Sequence, residues 1–177
     1  MKKYFALILL LSVATVAFPQ SKYTVTKSTI TFKIKNLGVN TGGNISGFKG
    51  DILFDPAHLD ASIIEASVET NTINTENGTR DEHLKSDSYF DVAKYPKITI
   101  KSVSLKYKSG DSYTGTFGLT IKGKTNTVEI PFTYSQTGNT ASFKGTLQIK
   151  RTDYGVGGKS LIMSNDVNVT IDVEATK

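Results

Sequence analysis

The 177-residue chain contains no cysteine and no tryptophan, and only two histidines, His58 and His83. Without cysteine the fold must be held by packing rather than by disulfides, and thiolate ligation of a metal is excluded. Asp81, Glu82, His83 and Asp87 lie close together in sequence, but their spacing fits no zinc or calcium pattern. A solvated helix start explains those acidic residues better, because the amino end of a helix favours negative charge. No Gly-x-Ser-x-Gly elbow presents a nucleophile, and the remaining carboxylates scatter over polar strand positions. Neither catalysis, a metal nor a cofactor is expected. The formal charge of +5 falls to +3 once Lys2 and Lys3 are set aside, leaving 19 basic against 16 acidic residues. That excess is spread over positions such as Lys27, Lys49, Lys101 and Lys144, so no basic cluster exists to hold nucleic acid or an anionic membrane.

Long apolar runs are also missing. Lys2 and Lys3 precede a short one, Ala6 to Leu11 with Val13, Ala14 and Val16, followed by small residues at Thr15 and Ala17 and then Pro19-Gln20. A bilayer span needs about 20 apolar residues, so this has the plan of a cleavable secretory signal over residues 1–20. No cysteine follows to carry a lipid anchor. Residues 21–177 then form one domain, expected in the periplasm or outside the cell, as a monomer or homodimer.

What the chain does have is period-two alternation bounded by Gly, Asn and Asp, which is the mark of strands. Ile30, Phe32 and Ile34 share one face. Phe48, Gly50, Ile52 and Phe54 share another, followed by Ile64, Ala66 and Val68. Ile98 and Ile100 precede a phase switch near Ser102 to Val103, Leu105 and Tyr107, the slip that a β-bulge produces. Tyr113 to Ile121, Val128 to Tyr134, Phe143 to Ile149 and Val167 to Val173 complete eight runs. The connections Ser109-Gly110-Asp111, Gly123-Lys124 and Thr137-Gly138-Asn139 are short and rich in turn residues. The fold class expected is therefore all-β: an eight-stranded antiparallel up-and-down β-barrel, lipocalin-like, with a short helix covering one end. Strands of about 10 residues at ~3.3 Å each, tilted by about 40°, give a barrel roughly 25 Å tall.

The exception to the alternation is the connection from about Thr70 to Pro96. Thr79-x-x-Glu82 has the form of a capping box, which places a short helix from Arg80 with Leu84 toward the domain body. Loops of this length inside compact domains are usually functional or structured. Within it stand Arg80-Asp81-x-His83-Leu84-Lys85-Ser86, Phe90-Asp91-Val92 and Tyr95-Pro96. Further along comes Arg151-Thr152-Asp153-Tyr154-Gly155-Val156. With Ser28-x-Ile30-x-Phe32, Gly47-Phe48-x-Gly50, Phe54-Asp55-Pro56 and Gly118-Leu119-Thr120-Ile121-Lys122-Gly123, these segments closely resemble the YceI-like family of polyisoprenoid-binding proteins. The departure is the Gly42-Gly43-Asn44 region with Gly157-Gly158, expected to alter one barrel mouth.

The resemblance implies a secreted barrel that encloses the tail of a long-chain isoprenoid, a quinone-like molecule or another lipid. Inward parity then marks Ile34, Phe48 and Ile52 as lipid-binding, with Ile64, Ala66 and Val68. Tyr89 and Phe90 join them from the long connection, and Ile100, Phe117 and Leu119 from the middle strands. Ile130, Phe132, Phe143 and Leu147 follow, then Val169 and Ile171. Gly115, Gly145 and Ala66 are expected to leave room inside. Arg80, Asp81, His83, Arg151 and Asp153 form either a structural charge network or a head-group site.

Two other readings compete. Gly118 to Thr125 matches the P-loop expression, but its variable positions continue a strand and Val128 to Phe132 begins another, so no helix is available for phosphates. A nucleotide is not expected. Alternation alone also suits a structural barrel without cargo or an outer-membrane barrel. The latter lacks tryptophan for its interfacial girdle and would place Lys144, Lys150, Asp172 and Glu174 in the lumen. Export predicts that the amino terminus of the mature protein, mapped by peptide mass spectrometry, starts between about Phe18 and Ser21. Recovery of intact Met1–Gln20 from membrane extracts would refute this.

Overall fold

Alternating apolar and polar residues run the chain back and forth as one antiparallel sheet. The computed structural model describes residues 21–177; the expected signal, residues 1–20, lies outside the described residues. The strands are β1 (Lys22–Asn36), β2 (Val39–Ile45), β3 (Lys49–Leu53), β4 (Ile63–Glu69), β5 (Lys97–Ser109), β6 (Ser112–Ile121), β7 (Lys124–Thr137), β8 (Thr140–Lys150) and β9 (Met163–Thr176). From β3 to β9 each strand pairs with the next, and β9 pairs with β1 from Thr24↔Thr176 to Asn36↔Met163. The result is a closed eight-stranded barrel with one extra strand, β2.

That extra strand has no counterpart among the eight alternating runs. β2 pairs with the far half of β1, from Ile30↔Ile45 to Asn36↔Val39, while β3 takes the near half at Lys22 and Tyr23. The two segments are separated at Gly47, whose φ of 71° a side chain would strain. Gly43 is required by close approach, since a Cβ there would lie 2.3 Å from the Asn74 carbonyl oxygen. The glycines that weakened the strand pattern in sequence are thus what let β2 lie against the Asn44↔Asn74 bridge.

The phase switch in β5 is a bulge. Ser102 faces Phe117 and Ser104 faces Thr116, leaving Val103 as the extra residue. Leu105 is inward and buried, as the shifted parity requires, but Val103 projects outward at 71% exposure. The extra residue of a bulge has no partner to hold it against the core. Tyr107 is also largely exposed, resting edge-on against Tyr113 at 5.6 Å.

The helix α1 (Gly78–Lys85) starts two residues earlier than the capping box implies. Asn77 caps it, its Oδ1 accepting the Arg80 N–H at 3.0 Å. Glu82 instead takes the Lys85 ammonium at 2.9 Å. Asn is as good a cap as Thr, and Asn77 has the extended backbone the position needs.

One end of the barrel is solid. Phe54, fully buried, meets the rings of Tyr134 at 4.8 Å, Tyr113 at 5.4 Å, Phe143 at 5.5 Å and Phe132 at 6.0 Å. Tyr23 closes the group, its hydroxyl 2.7 Å from that of Tyr134, which donates to Gln136 Oε1 at 2.6 Å. Burial raises the Tyr134 pKa above its ordinary value, so the phenol stays a donor. Gly115 and Gly145 leave no vacancy here: a Cβ at Gly115 would lie 2.2 Å from the Phe117 ring, and at Gly145 3.2 Å from Ile130. Phe54→Ala should therefore cost about 3–5 kcal/mol in urea unfolding. Val103→Thr, on the exposed bulge, should change stability by less than about 0.5 kcal/mol. A small loss at Phe54 would mean that the aromatic floor is not close-packed.

Candidate ligand cavity

Above the aromatic floor the barrel is not filled. A cavity of about 230 Å³ occupies the half nearer α1, and its walls are almost entirely apolar. Ile30, Phe32 and Ile34 from β1 face Ala66 and Val68 from β4 and Ile100 from β5. Leu119, Ile130, Leu147, Val169 and Ile171 continue the wall around β6 to β9. Phe48, in the short link between β2 and β3, also contributes. The room at Ala66 is real, because its cross-strand partners are Gly50 and Ile100 and it lines open space.

The long connection covers this end. After α1 the chain doubles back, with Phe90 N–H donating to the Leu84 carbonyl at 3.0 Å and Val92 N–H to that of Lys85 at 3.2 Å. That turn brings Leu84, Tyr89 and Phe90 onto the cavity. The segment is tied down by backbone groups: Thr70 N–H reaches the Pro96 carbonyl at 2.9 Å, and Gly157 N–H reaches that of Ser88 at 3.0 Å. Lys122, in the β6–β7 turn, donates to the Asp87 carbonyl at 2.6 Å. The P-loop-like stretch is therefore a hairpin whose lysine holds the cover.

Several expected lining residues lie elsewhere. Ile52, Ile64, Phe117, Phe132 and Phe143 face inward but belong to the packed core toward the floor and do not border the cavity. Parity reports which side of the sheet a residue faces, not its height along the barrel. Conversely, Ile98, Ile121, Ile149 and Val167 line the cavity and share parity with residues named from sequence. Ile73, Tyr154, Val156 and Met163 also line it, but from loops or strand ends where alternation carries no signal.

The expected charge network does not form. Among the described residues no ion pair joins Arg80, Asp81, His83, Arg151 or Asp153. Arg80 and Asp81 both grip Thr75 instead. Arg80 donates from Nε to Thr75 Oγ1 at 2.7 Å and from Nη2 to its carbonyl at 2.6 Å, while Asp81 Oδ1 accepts from Thr75 N–H and hydroxyl. His83 is exposed, edge-on to Tyr89 at 4.9 Å. Asp153 is exposed on the 3-10 turn at Arg151–Tyr154, whereas Arg151 is buried and lines the cavity with Arg80. Burial raises the Tyr154 pKa, so its phenol is protonated. No cluster of three metal-ligating side chains occurs among the described residues.

Comparison with known proteins covers nearly all of this fold. The YceI-like domain matches residues 22–175. A UPF0312 protein of Yersinia pestis (strain Pestoides F) is 30% identical over 155 residues, spanning 84% of this chain and 80% of that relative. The crystal structure of Burkholderia cenocepacia BcnA superposes with a TM-score of 0.83 at 29% identity, over 86% of this chain and 100% of that one. A polyisoprenoid binding domain from Saccharophagus degradans, implicated in plant cell wall breakdown, shares the fold at a TM-score of 0.67 and 16% identity, over 88% of this chain and 97% of that one.

A ring added at Ala66 should fill the cavity, whereas one at Thr99, exposed on the opposite face of β5, should not. Ala66→Phe is expected to lower the affinity for the neutral apolar probe N-phenylnaphthylamine about ten-fold or more, with little change in melting. Thr99→Phe should leave probe binding unchanged. If Ala66→Phe instead destabilises by about 1–3 kcal/mol, the site is packed rather than open.

Proposed function

Because the chain belongs to the YceI-like family, we propose that it binds the apolar chain of an isoprenoid or similar amphiphilic lipid in the barrel. It carries or sequesters that lipid in the periplasm or outside the cell and catalyses no reaction. The observation that carries this reading is an apolar cavity bounded by a close-packed floor at one end and an apolar cover at the other. The polyisoprenoid binding domain from Saccharophagus degradans supports it through the shared fold.

The energetics favour a long cargo. At ~0.8 kcal/mol per buried methylene, each isoprene unit contributes roughly 3 kcal/mol gross. Lost rigid-body freedom and chain ordering offset about 4–15 kcal/mol, so several units are needed for useful affinity. The cavity of about 230 Å³ exceeds the ~150 Å³ that accepts a benzene ring, and it takes the leading part of such a chain. A longer chain displaces Tyr89 and Phe90 outward, and the cover then closes over it.

The polarity of the wall favours carriage over a membrane-spanning barrel. A membrane barrel turns its apolar face to lipid. Here the outer face carries the cross-strand pairs Glu65–Lys101 at 2.7 Å and Lys144–Asp172 at 3.0 Å, with Lys22–Asp51 at 3.2 Å.

Native mass spectrometry of the purified protein, repeated after organic extraction, tests the proposal. A bound mass that extraction removes, and that chromatography identifies as an isoprenoid or other long-chain lipid, is the expected result. Phe90→Ala should then speed transfer of that lipid to acceptor vesicles several-fold while changing the melting temperature little. Protein that stays lipid-free after incubation with isoprenoid vesicles would leave a structural barrel without cargo.

A further inference from the structure

Four large apolar side chains protrude together at the α1 end of the barrel. Leu37, Val39, Leu161 and Ile162 make up more than half of the large apolar side chains left exposed among the described residues. Leu37, Val39 and Ile162 are 56% to 70% exposed, and Leu161 is as open as in an extended chain. They come from two segments far apart in sequence, the β1–β2 turn and the loop before β9. The Leu37 N–H joins these segments by donating to the Ile162 carbonyl at 2.8 Å. Single exposed leucines need no explanation, but a group of them does. Both tips sit on the rim of the cavity: Asn36 and Thr41 line it on either side of Leu37 and Val39, and Val156 and Met163 on either side of Leu161 and Ile162.

The backbone argues against a purely structural origin. Leu37 and Gly38 form a two-residue turn with φ of 51° and 78°. Positive φ at both positions favours Asn-Gly, because a bulky side chain in the left-handed region is strained. A leucine that is both strained and exposed adds nothing to the core, so its use lies in contact rather than in folding. The charge on these two segments is of one sign. Lys33 and Lys35 precede Leu37, Lys159 precedes Leu161, and none of the three forms an ion pair among the described residues. No acidic residue occurs from Thr31 to Gly50 or from Tyr154 to Asn165. The pairing of β1 with β9 collects these lysines at one end, so their dispersal along the sequence does not exclude a basic cluster in the fold.

We propose that these two tips dock the protein on an anionic lipid surface, with the four apolar side chains entering the headgroup region and the lysines lying over it. Docking sets the rim of the cavity against the bilayer, where a lipid passes between the two. Interfacial binding grows with the apolar area inserted and with the attraction of cations to anionic headgroups. A protein partner suits the tips less well. A specific protein interface buries about 1,200 Å² or more, beyond what four side chains on two protruding tips carry. The passage of lipid rests on the carrier reading; the docking does not, and its test needs no cargo.

The chain has no tryptophan, so Leu161→Trp installs a single reporter. On vesicles of phosphatidylcholine and phosphatidylglycerol its emission should shift to the blue and be quenched by brominated lipid. Val103→Trp, exposed on the bulge of β5, should show neither effect. In vesicle co-sedimentation, Leu37→Asn combined with Leu161→Ser should weaken binding of the full mature protein about ten-fold or more, with melting unchanged or raised. Vesicles of phosphatidylcholine alone should bind the wild type several-fold more weakly. Unquenched Leu161→Trp, or equal quenching at Val103→Trp, overturns the proposal. So does wild-type vesicle binding by the double variant, or a lowered melting temperature, which would give Leu37 a structural task. A dimer in analytical ultracentrifugation that Leu161→Ser dissociates also overturns it, by assigning the tips to a second copy of the chain. Protein that docks on vesicles yet never takes up lipid supports the docking and removes only the carrier reading.

Discussion

The pairing of β1 with β9 is the interaction on which the rest of the molecule depends. It runs the length of both strands, from Thr24↔Thr176 to Asn36↔Met163, and it closes eight strands into a barrel, leaving only the outer edge of β2 without a strand partner among the described residues. Closure fixes the interior volume independently of what fills it. Part of that volume can then stay empty only because the rest is packed as a core. Phe54 and the tyrosines and phenylalanines around it supply that density, through edge contacts that side chains of other shapes would not make. The floor and the cavity are two consequences of one closed wall.

The two ends of the barrel also differ in how they are held. The floor is fixed by buried rings and by the Tyr23–Tyr134–Gln136 hydroxyl chain. The cover is held by a small set of hydrogen bonds, many of them to backbone carbonyls, and its Leu84, Tyr89 and Phe90 are only partly buried where they border the cavity. Segments with little buried apolar contact open at lower free energy than the elements around them. Access to the cavity through the α1 end therefore requires no disturbance of the sheet.

Much of the sheet is legible in the sequence alone. Seven of the runs of alternating residues became strands β3 to β9 and one became part of β1, and the slip near Ser102 became the bulge at Val103. Short glycine-containing turns specified the antiparallel order, since they leave the chain no way to cross over. The long connection announced itself by breaking the pattern, and its apolar residues came to lie on the cavity. The helix cap was misplaced by two residues because Asn77 and Thr79 are chemically equivalent candidates, and only the backbone angle at Asn77 chooses between them. Strand β2 is hidden in the sequence because its glycines, needed for the close approach of Gly43 to Asn74 and of Gly42 to Phe32, carry no side chain to alternate.

The sequence by itself determined which residues face inward, because a strand's side chains alternate whatever its neighbours are. Only the tertiary structure decided how far along the barrel each one lies, since that depends on the stagger between strands, a property of the closed sheet and not of any single run. Stagger sends Phe132 and Phe143 to the floor while Ile130 and Leu147, two and four residues away on the same parity, line open space. The same distinction separates the charges. Arg80, Asp81, Arg151 and Asp153 look like partners when read along the chain, but ion pairing falls off steeply with distance and orientation. The turn that buries Arg151 carries Asp153 out to solvent, and a charge with no counterpart in the cavity wall is left behind.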